Sequence, residues 1–244
     1  MNQINNKINS IFLLPSLLTI GSLFCGYYAI IESFAGNFLN AGNSLFIALI
    51  LDGLDGKIAR ITNTTTLFGA ELDAFADIVS FGVAPAIVIF KWKLFLLGHL
   101  GWFIVFLYCA CAGLRLARFN SRKSEDNNYF IGLPSPAASV LVVGFMYICS
   151  EFNLNNNFSI NIMAFISIIA SISMISTIRY YSFKNINFHK SGKFTVLLFL
   201  FFLLSLLIIS PSAMIYSFFI CYTLSAYILL LLKIFSKKNK VVKD

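Results

Sequence analysis

The feature that most restricts this chain is the length and density of its apolar runs. Mostly apolar stretches fall at about 11–34, 41–60, 68–90, 98–118, 133–150, 160–178, 194–210 and 212–235. At a rise of 1.5 Å per residue, about 20 residues cross the ~30 Å hydrocarbon layer of a bilayer. A lipid solvent obliges each run to satisfy its own backbone N–H and C=O groups, which an α-helix does. The expected architecture is therefore an all-α polytopic membrane protein of about eight transmembrane helices. Composition agrees. Hydrophobic residues make up 59% of the chain and charged ones 11%, against about 25% charged in soluble domains. That balance excludes a soluble globular enzyme, a disordered tail and a nucleic-acid-binding domain. No repeat or long linker divides the chain, so residues 1–244 read as one transmembrane domain. Its core covers about 11–210, and a basic tail covers about 236–244. The first run has a signal-like start, but further spans follow it and Phe24 before Cys25 spoils a lipoprotein cleavage site. An uncleaved first helix is expected.

The net charge of +8 is explained by where the charges lie. With the N-terminus in the cytoplasm, 16 of the 18 Lys and Arg residues fall on the cytoplasmic side. Only Lys91 and Lys93 lie outside, and the loops at 35–40 and 151–159 carry neither Lys nor Arg. The positive-inside rule then puts both termini in the cytoplasm and requires an even number of spans. Contact with anionic lipid head groups is a secondary effect. Cys25, Cys109, Cys111, Cys149 and Cys221 all stand in apolar runs without a C-x-x-C pair, and read as buried small hydrophobes. With only His99 and His189 besides, no zinc site is expected.

The stretch from Leu51 to Pro85 places Asp52, Asp55, Asp73 and Asp77 inside otherwise apolar spans. An ionisable group there costs a few kcal/mol or more, so such residues usually have a partner and a task. Asp52 and Asp55 are spaced i, i+3, and Asp73 and Asp77 i, i+4, so each pair shares a helix face. Counted from Arg60 and Gly69, Asp52 and Asp77 lie ~12 Å deep and Asp55 and Asp73 ~6–7.5 Å. Antiparallel neighbours would bring all four to matching depths. Four such carboxylates need cations to remain ionised together, and oxygen ligands without Cys or His select Mg2+ or Mn2+. Gly56 and Ala59 keep the Asp52 face low enough for a bulky substrate, and Arg60 at the mouth suits a phosphate.

Intramembrane acids also serve ion or proton transport, but a transporter would place them near mid-membrane in repeated halves. Here they cluster near one surface and no second half matches.

The pattern Asp52-x-x-Asp55-Gly56-x-x-Ala59-Arg60-x8-Gly69-x3-Asp73-x3-Asp77 resembles the signature of the CDP-alcohol phosphotransferases. Eight fixed positions at about 5% usage each make a chance match roughly one in 10^10 per start site. The stretches 77–85 (DIVSFGVAP), 114–120 (LRLARFN) and 132–138 (GLPSPAA) narrow the likeness to the type II bacterial phosphatidylserine synthases. It covers about Leu14 to Ser150. The chain departs from the pattern at Ser16 and Ser22, where relatives often carry Asn, and at Ala74, where they often carry Ser.

The resemblance implies a six-helix core with extra C-terminal helices, homodimers, and one reaction. That reaction moves a phosphatidyl group from CDP-diacylglycerol to L-serine and releases CMP. By the same resemblance Asp52, Asp55 and Asp73 hold a pair of divalent cations, Mg2+ or Mn2+. Asp77 shares in them and is the catalytic base on the serine hydroxyl. Asp52, Gly56, Ala59, Arg60 and Gly69 meet the CDP-diacylglycerol. For the serine carboxylate or a lipid phosphate, the candidates are Arg115, Arg118, Asn120, Pro134 and Ser135. Arg115 and Arg118 equally suit the role of cytoplasmic anchors. Pro134 and Pro136 suit the first turn of a helix whose N–H groups meet an anion. The polar loop 120–130 is either a cover for the site or a plain connector. Glycerol 3-phosphate, inositol phosphate or choline as acceptor is the alternative within this chemistry; an ion or proton transporter is the alternative outside it.

Overall fold

The computed structural model describes residues 2–121, 129–154, 157–181, 216–224 and 227. Six of the expected spans are helices there. They are α1 (Asn2–Phe34), α2 (Phe38–Ile61), a composite third span, α5 (His99–Ser121), α6 (Ser135–Glu151) and α7 (Asn157–Ile175). The third span joins α3 (Leu67–Asp77) to α4 (Ala84–Trp92) through a π-helical turn at Ile78–Val83. Residues 216–224 are helical within the expected last span. The expected span 194–210, the basic tail 236–244 and most of the 120–130 loop lie outside the described residues.

Four segments, Leu14–Phe34, Leu67–Trp92, His99–Ser121 and Phe158–Ile175, are long and apolar enough to cross a bilayer. Large apolar side chains such as Leu17, Phe24, Phe106 and Phe165 are exposed along them, as a lipid solvent allows. This is an integral membrane protein. Cys221 corrects one expectation. It is exposed, whereas Cys111 and Cys149 are buried and Cys25 and Cys109 half-buried. A thiol facing lipid needs no burial in protein, because it behaves as a small apolar group.

Small residues bring the helices together. From Leu14 to Phe34, the buried positions of α1 are Pro15, Thr19, Ser22, Gly26, Ala29 and Ser33, spaced three and four apart. They form one low stripe on which another backbone can settle. The stripe lies along α2, whose buried positions Ala41, Ser44, Leu45 and Ala48 lead to Asp55. Hydroxyls fasten this contact. Ser22 Oγ donates to the Ala48 carbonyl at 3.1 Å, and Ser44 Oγ to the Cys25 carbonyl at 2.7 Å. Ser22, one of the departures noted above, thus links two helix backbones.

The π-turn follows from Pro85. Proline has no N–H to close the bond to the carbonyl four residues back, and its ring crowds that carbonyl. Here that carbonyl belongs to Phe81, and it accepts instead from Tyr108 Oη of α5 at 3.1 Å. The Ala84 N–H reaches five residues back, to Val79. The widened turn lies against α1, where Ser80 Oγ donates to the Ser22 carbonyl at 3.0 Å. A Cβ on Gly26 would stand 2.9 Å from the Ser80 Cα, so only glycine admits this approach.

One feature departs from the all-α expectation. Tyr129–Ile131 pairs antiparallel with Arg179–Tyr181, Phe130 opposite Tyr180. The chain entering α6 and the chain leaving α7 run side by side, and each satisfies the other's backbone groups. Gly132, at φ +79°, follows directly, and a Cβ there would meet the Met174 carbonyl at 2.4 Å. At the opposite end of the helices, Lys93 Nζ donates to Ser159 Oγ at 2.8 Å and Lys91 Nζ lies 4.7 Å over the Phe34 ring.

Candidate active site

The acids converge. One carboxylate oxygen each from Asp52, Asp55 and Asp73 lies within 4.8 Å of the other two. Asp77 is within hydrogen-bonding reach of Asp52, and its Oδ1 is buried without a hydrogen-bond partner among the described residues. The i, i+3 spacing on α2 and the i, i+4 spacing on α3 supply two acids each to one place. The backbones of α2 and α3 hardly approach one another, whereas each of them packs against α1. The carboxylates therefore bridge a gap between helices rather than line a tight seam. Asp77 is the last residue before the π-turn, so the Pro85–Tyr108 arrangement sets the direction in which its helix leaves the cluster.

This donor set fits a hard divalent cation. It is made of oxygen only, and it crowds three carboxylates together while leaving a buried fourth oxygen unsatisfied. One hydroxyl already serves it. Thr19 Oγ1 of α1 donates to Asp55 Oδ2 at 2.6 Å. Sequence reading missed Thr19; its place in the three-and-four stripe of small residues was the available signal.

The expected lipid-side residues flank the acids. Built onto Gly53 or Gly56, a Cβ would meet nothing within 4 Å, so the α2 surface beside Asp52 and Asp55 is open. Ala59 is half-buried, and Arg60 is exposed with its Nε donating to the Gly56 carbonyl at 2.8 Å. Gly69 has a local task, its N–H donating to Thr66 Oγ1 at 3.0 Å in the cap that starts α3. Leu54 of α2 and Leu67, Phe68 and Phe75 of α3 are large apolar residues left exposed.

The two arginines of α5 differ sharply. Arg115 is 8% exposed, with Nη1 donating to Ser135 Oγ at 2.9 Å and a buried Nε that has no hydrogen-bond partner among the described residues. Asp77, Asp52 and Tyr222 all lie within reach of its charge. Ser135 is fully buried at the first turn of α6, and Pro134 stands at the N-cap. Arg118 instead donates to four main-chain carbonyls, Ile175 at 2.8 Å and Met174, Ser176 and Ile131 at 3.2 Å. It closes the C-terminal end of α7 as a cationic cap. Asn120 is exposed near the end of α5.

Comparison with known proteins bears on this geometry. Residues 12–172 match the family model described as CDP-alcohol phosphatidyltransferase. A CDP-diacylglycerol–serine O-phosphatidyltransferase of Helicobacter pylori is 37% identical over 237 residues, which is 96% of this chain and 98% of that protein. The similarly named protein of Methanocaldococcus jannaschii is 35% identical over 156 residues, covering 64% of this chain and 71% of that one. One from Bacillus subtilis is 38% identical over 130 residues, 53% of this chain and 73% of the other.

Proposed function

The chain belongs to the CDP-alcohol phosphatidyltransferase family, and from that premise we propose how its acidic and basic residues divide one reaction. The reaction is transfer of a phosphatidyl group from CDP-diacylglycerol to L-serine with release of CMP. The observation that carries the reading is the convergence of Asp52, Asp55 and Asp73 next to Asp77 and the buried Arg115. The catalytic core covers about 11–210, which the family match over 12–172 supports.

Asp52, Asp55 and Asp73 hold a pair of divalent cations, Mg2+ or Mn2+, and Asp77 shares in them. Bound there, the cations neutralise the pyrophosphate and the charge that develops on the departing CMP. The open surface at Gly53 and Gly56 lets the nucleotide end of the lipid lie against α2, with Arg60 at the mouth for a phosphate. Exposed Leu54, Leu67, Phe68 and Phe75 on the two acid-bearing helices give the acyl chains apolar surface to lie against in the bilayer.

Asp77 takes the proton of the serine hydroxyl as that oxygen attacks phosphorus directly. A carboxylate beside cations is a weak base, so it works through position more than through basicity. Arg115 anchors the serine carboxylate. Its Nη1 is held by Ser135, and its unpartnered Nε gives a charge-assisted donor within the site. Arg118 is spent on main-chain carbonyls and serves the site by fixing the end of α7. The site and both termini face the cytoplasm of a bacterial cell, as the Lys and Arg distribution supports. By resemblance to the family the working unit is a homodimer.

The test is CMP release by purified protein supplied with CDP-diacylglycerol, Mg2+ or Mn2+, and one acceptor at a time. L-serine alone should drive release, and a chelator should stop it. Release with glycerol 3-phosphate, inositol phosphate or choline instead would overturn the roles given to Arg115 and Ser135.

A further inference from the structure

Thr19 brings a hydroxyl to the acids from a helix that contributes no acid. Thr19 is 4% exposed on α1, and its hydroxyl lies 2.6 Å from Asp55 Oδ2, itself a residue only 4% exposed. The Pro15 carbonyl, one turn back, also lies within reach at 3.1 Å. A hydroxyl has a single proton to give, and the shorter contact has the length of a charge-assisted O–H···O⁻ bond.

A carboxylate turns easily about its last bond, because that torsion has broad minima. Its own helix offers Asp55 the Gly56 backbone N–H, and a single donor leaves the carboxylate free to swing about that bond. A donor from across the helix interface does stop it, and Thr19 is held in place by the stripe it belongs to. Ser22, one turn on, is bonded to the Ala48 carbonyl, and Gly26, two turns on, is pressed against Ser80.

We infer that Thr19 is a positioning residue for the cation site, its hydroxyl fixing the Asp55 carboxylate toward Asp52 and Asp73. The inference rests on the cation-binding reading given above. It gives α1 a part in the reaction beyond packing, since α1 then sets the geometry of an acid on α2. An ordinary interhelical hydrogen bond would contribute to stability alone, and the two roles part experimentally.

The measurement is Mn2+ binding to the full-length protein in detergent, followed by electron paramagnetic resonance, with metal-free thermal melting beside it. Thr19→Val keeps the shape and removes the donor. It should weaken Mn2+ binding about 10- to 100-fold, the usual effect of removing a group that orients a metal ligand. Thr19→Ser keeps the donor and should bind within about threefold of the unaltered protein, by the same reasoning. A Thr19→Val protein that melts lower yet binds Mn2+ as tightly as the parent would overturn the inference. Should Thr19→Val not fold, Thr19→Cys offers a weaker donor of similar size. An intermediate loss of affinity is then expected, and parental affinity overturns the inference. If the unaltered protein binds no Mn2+, the cation reading itself falls and this inference with it.

Discussion

In the reading proposed above, Asp77 acts on the serine proton and Arg115 on the serine carboxylate, and substitutions tell the two roles apart. Asp77→Asn keeps the size of the side chain and removes the base. Turnover should fall by about 10^2- to 10^4-fold, the range general-base catalysis supplies, while CDP-diacylglycerol remains bound. Substantial turnover in that variant would remove Asp77 as the base. Arg115→Ala removes a buried charge-assisted donor worth about 1.5–3 kcal/mol. The apparent KM for serine should rise about 10- to 100-fold on that figure, with a smaller change for the lipid. Equal changes in both would assign Arg115 to the phosphate instead. At this scale the sequence was informative about types and spacing but silent on engagement. Arg115 and Arg118 are one helical turn apart and chemically alike, yet one is buried beside Ser135 and the other caps α7. Nothing local distinguishes them, because three of the four carbonyls that hold Arg118 come from Met174, Ile175 and Ser176, more than fifty residues away.

Elements explain why the acids stay where they are. The third span reads from hydropathy as one apolar run, and its interruption was legible only in Pro85. What sequence could not supply is the compensating donor, Tyr108 on another helix. The arrangement makes a double-mutant prediction. Tyr108→Phe orphans the Phe81 carbonyl, which should cost about 1–3 kcal/mol. Pro85→Ala restores an N–H that can return to that carbonyl, so the Tyr108→Phe penalty should shrink in the Pro85→Ala background. Additive effects in thermal melts of the four proteins would mean that the tyrosine bond does not answer the proline. Gly26 tests the other side of the same turn. Gly26→Ala forces apart Ser80 and α1, an overpacking expected to cost about 1–3 kcal/mol. It should lower turnover as well, since the π-turn begins at the residue after Asp77.

At the scale of the molecule, the order of the helices among the described residues was legible because lipid leaves few alternatives, and the charges predict an orientation. The two-stranded pairing of 129–131 with 179–181 was not legible. Three residues on each side are too few to carry a strand pattern, and their pairing depends on where α5 and α7 end. The orientation can be tested directly, because the structure separates two connections at opposite ends of the helices. Thr65, between α2 and α3, is exposed at the end from which the acids are counted, and Leu154, after α6, is exposed at the end where Lys93 meets Ser159. With the five native cysteines replaced and CMP release retained, Thr65→Cys and Leu154→Cys each introduce one reporter. In intact cells an impermeant maleimide should label the Leu154→Cys protein and spare the Thr65→Cys protein, and opening the cells should expose the latter. The reverse pattern would place the acids on the outer face, where neither a cytoplasmic nucleotide-activated lipid head nor free serine would meet them. It would also leave 16 of 18 cationic side chains on the side that the positive-inside rule disfavours. The membrane orientation and the supply of substrate thus stand or fall on one labelling experiment.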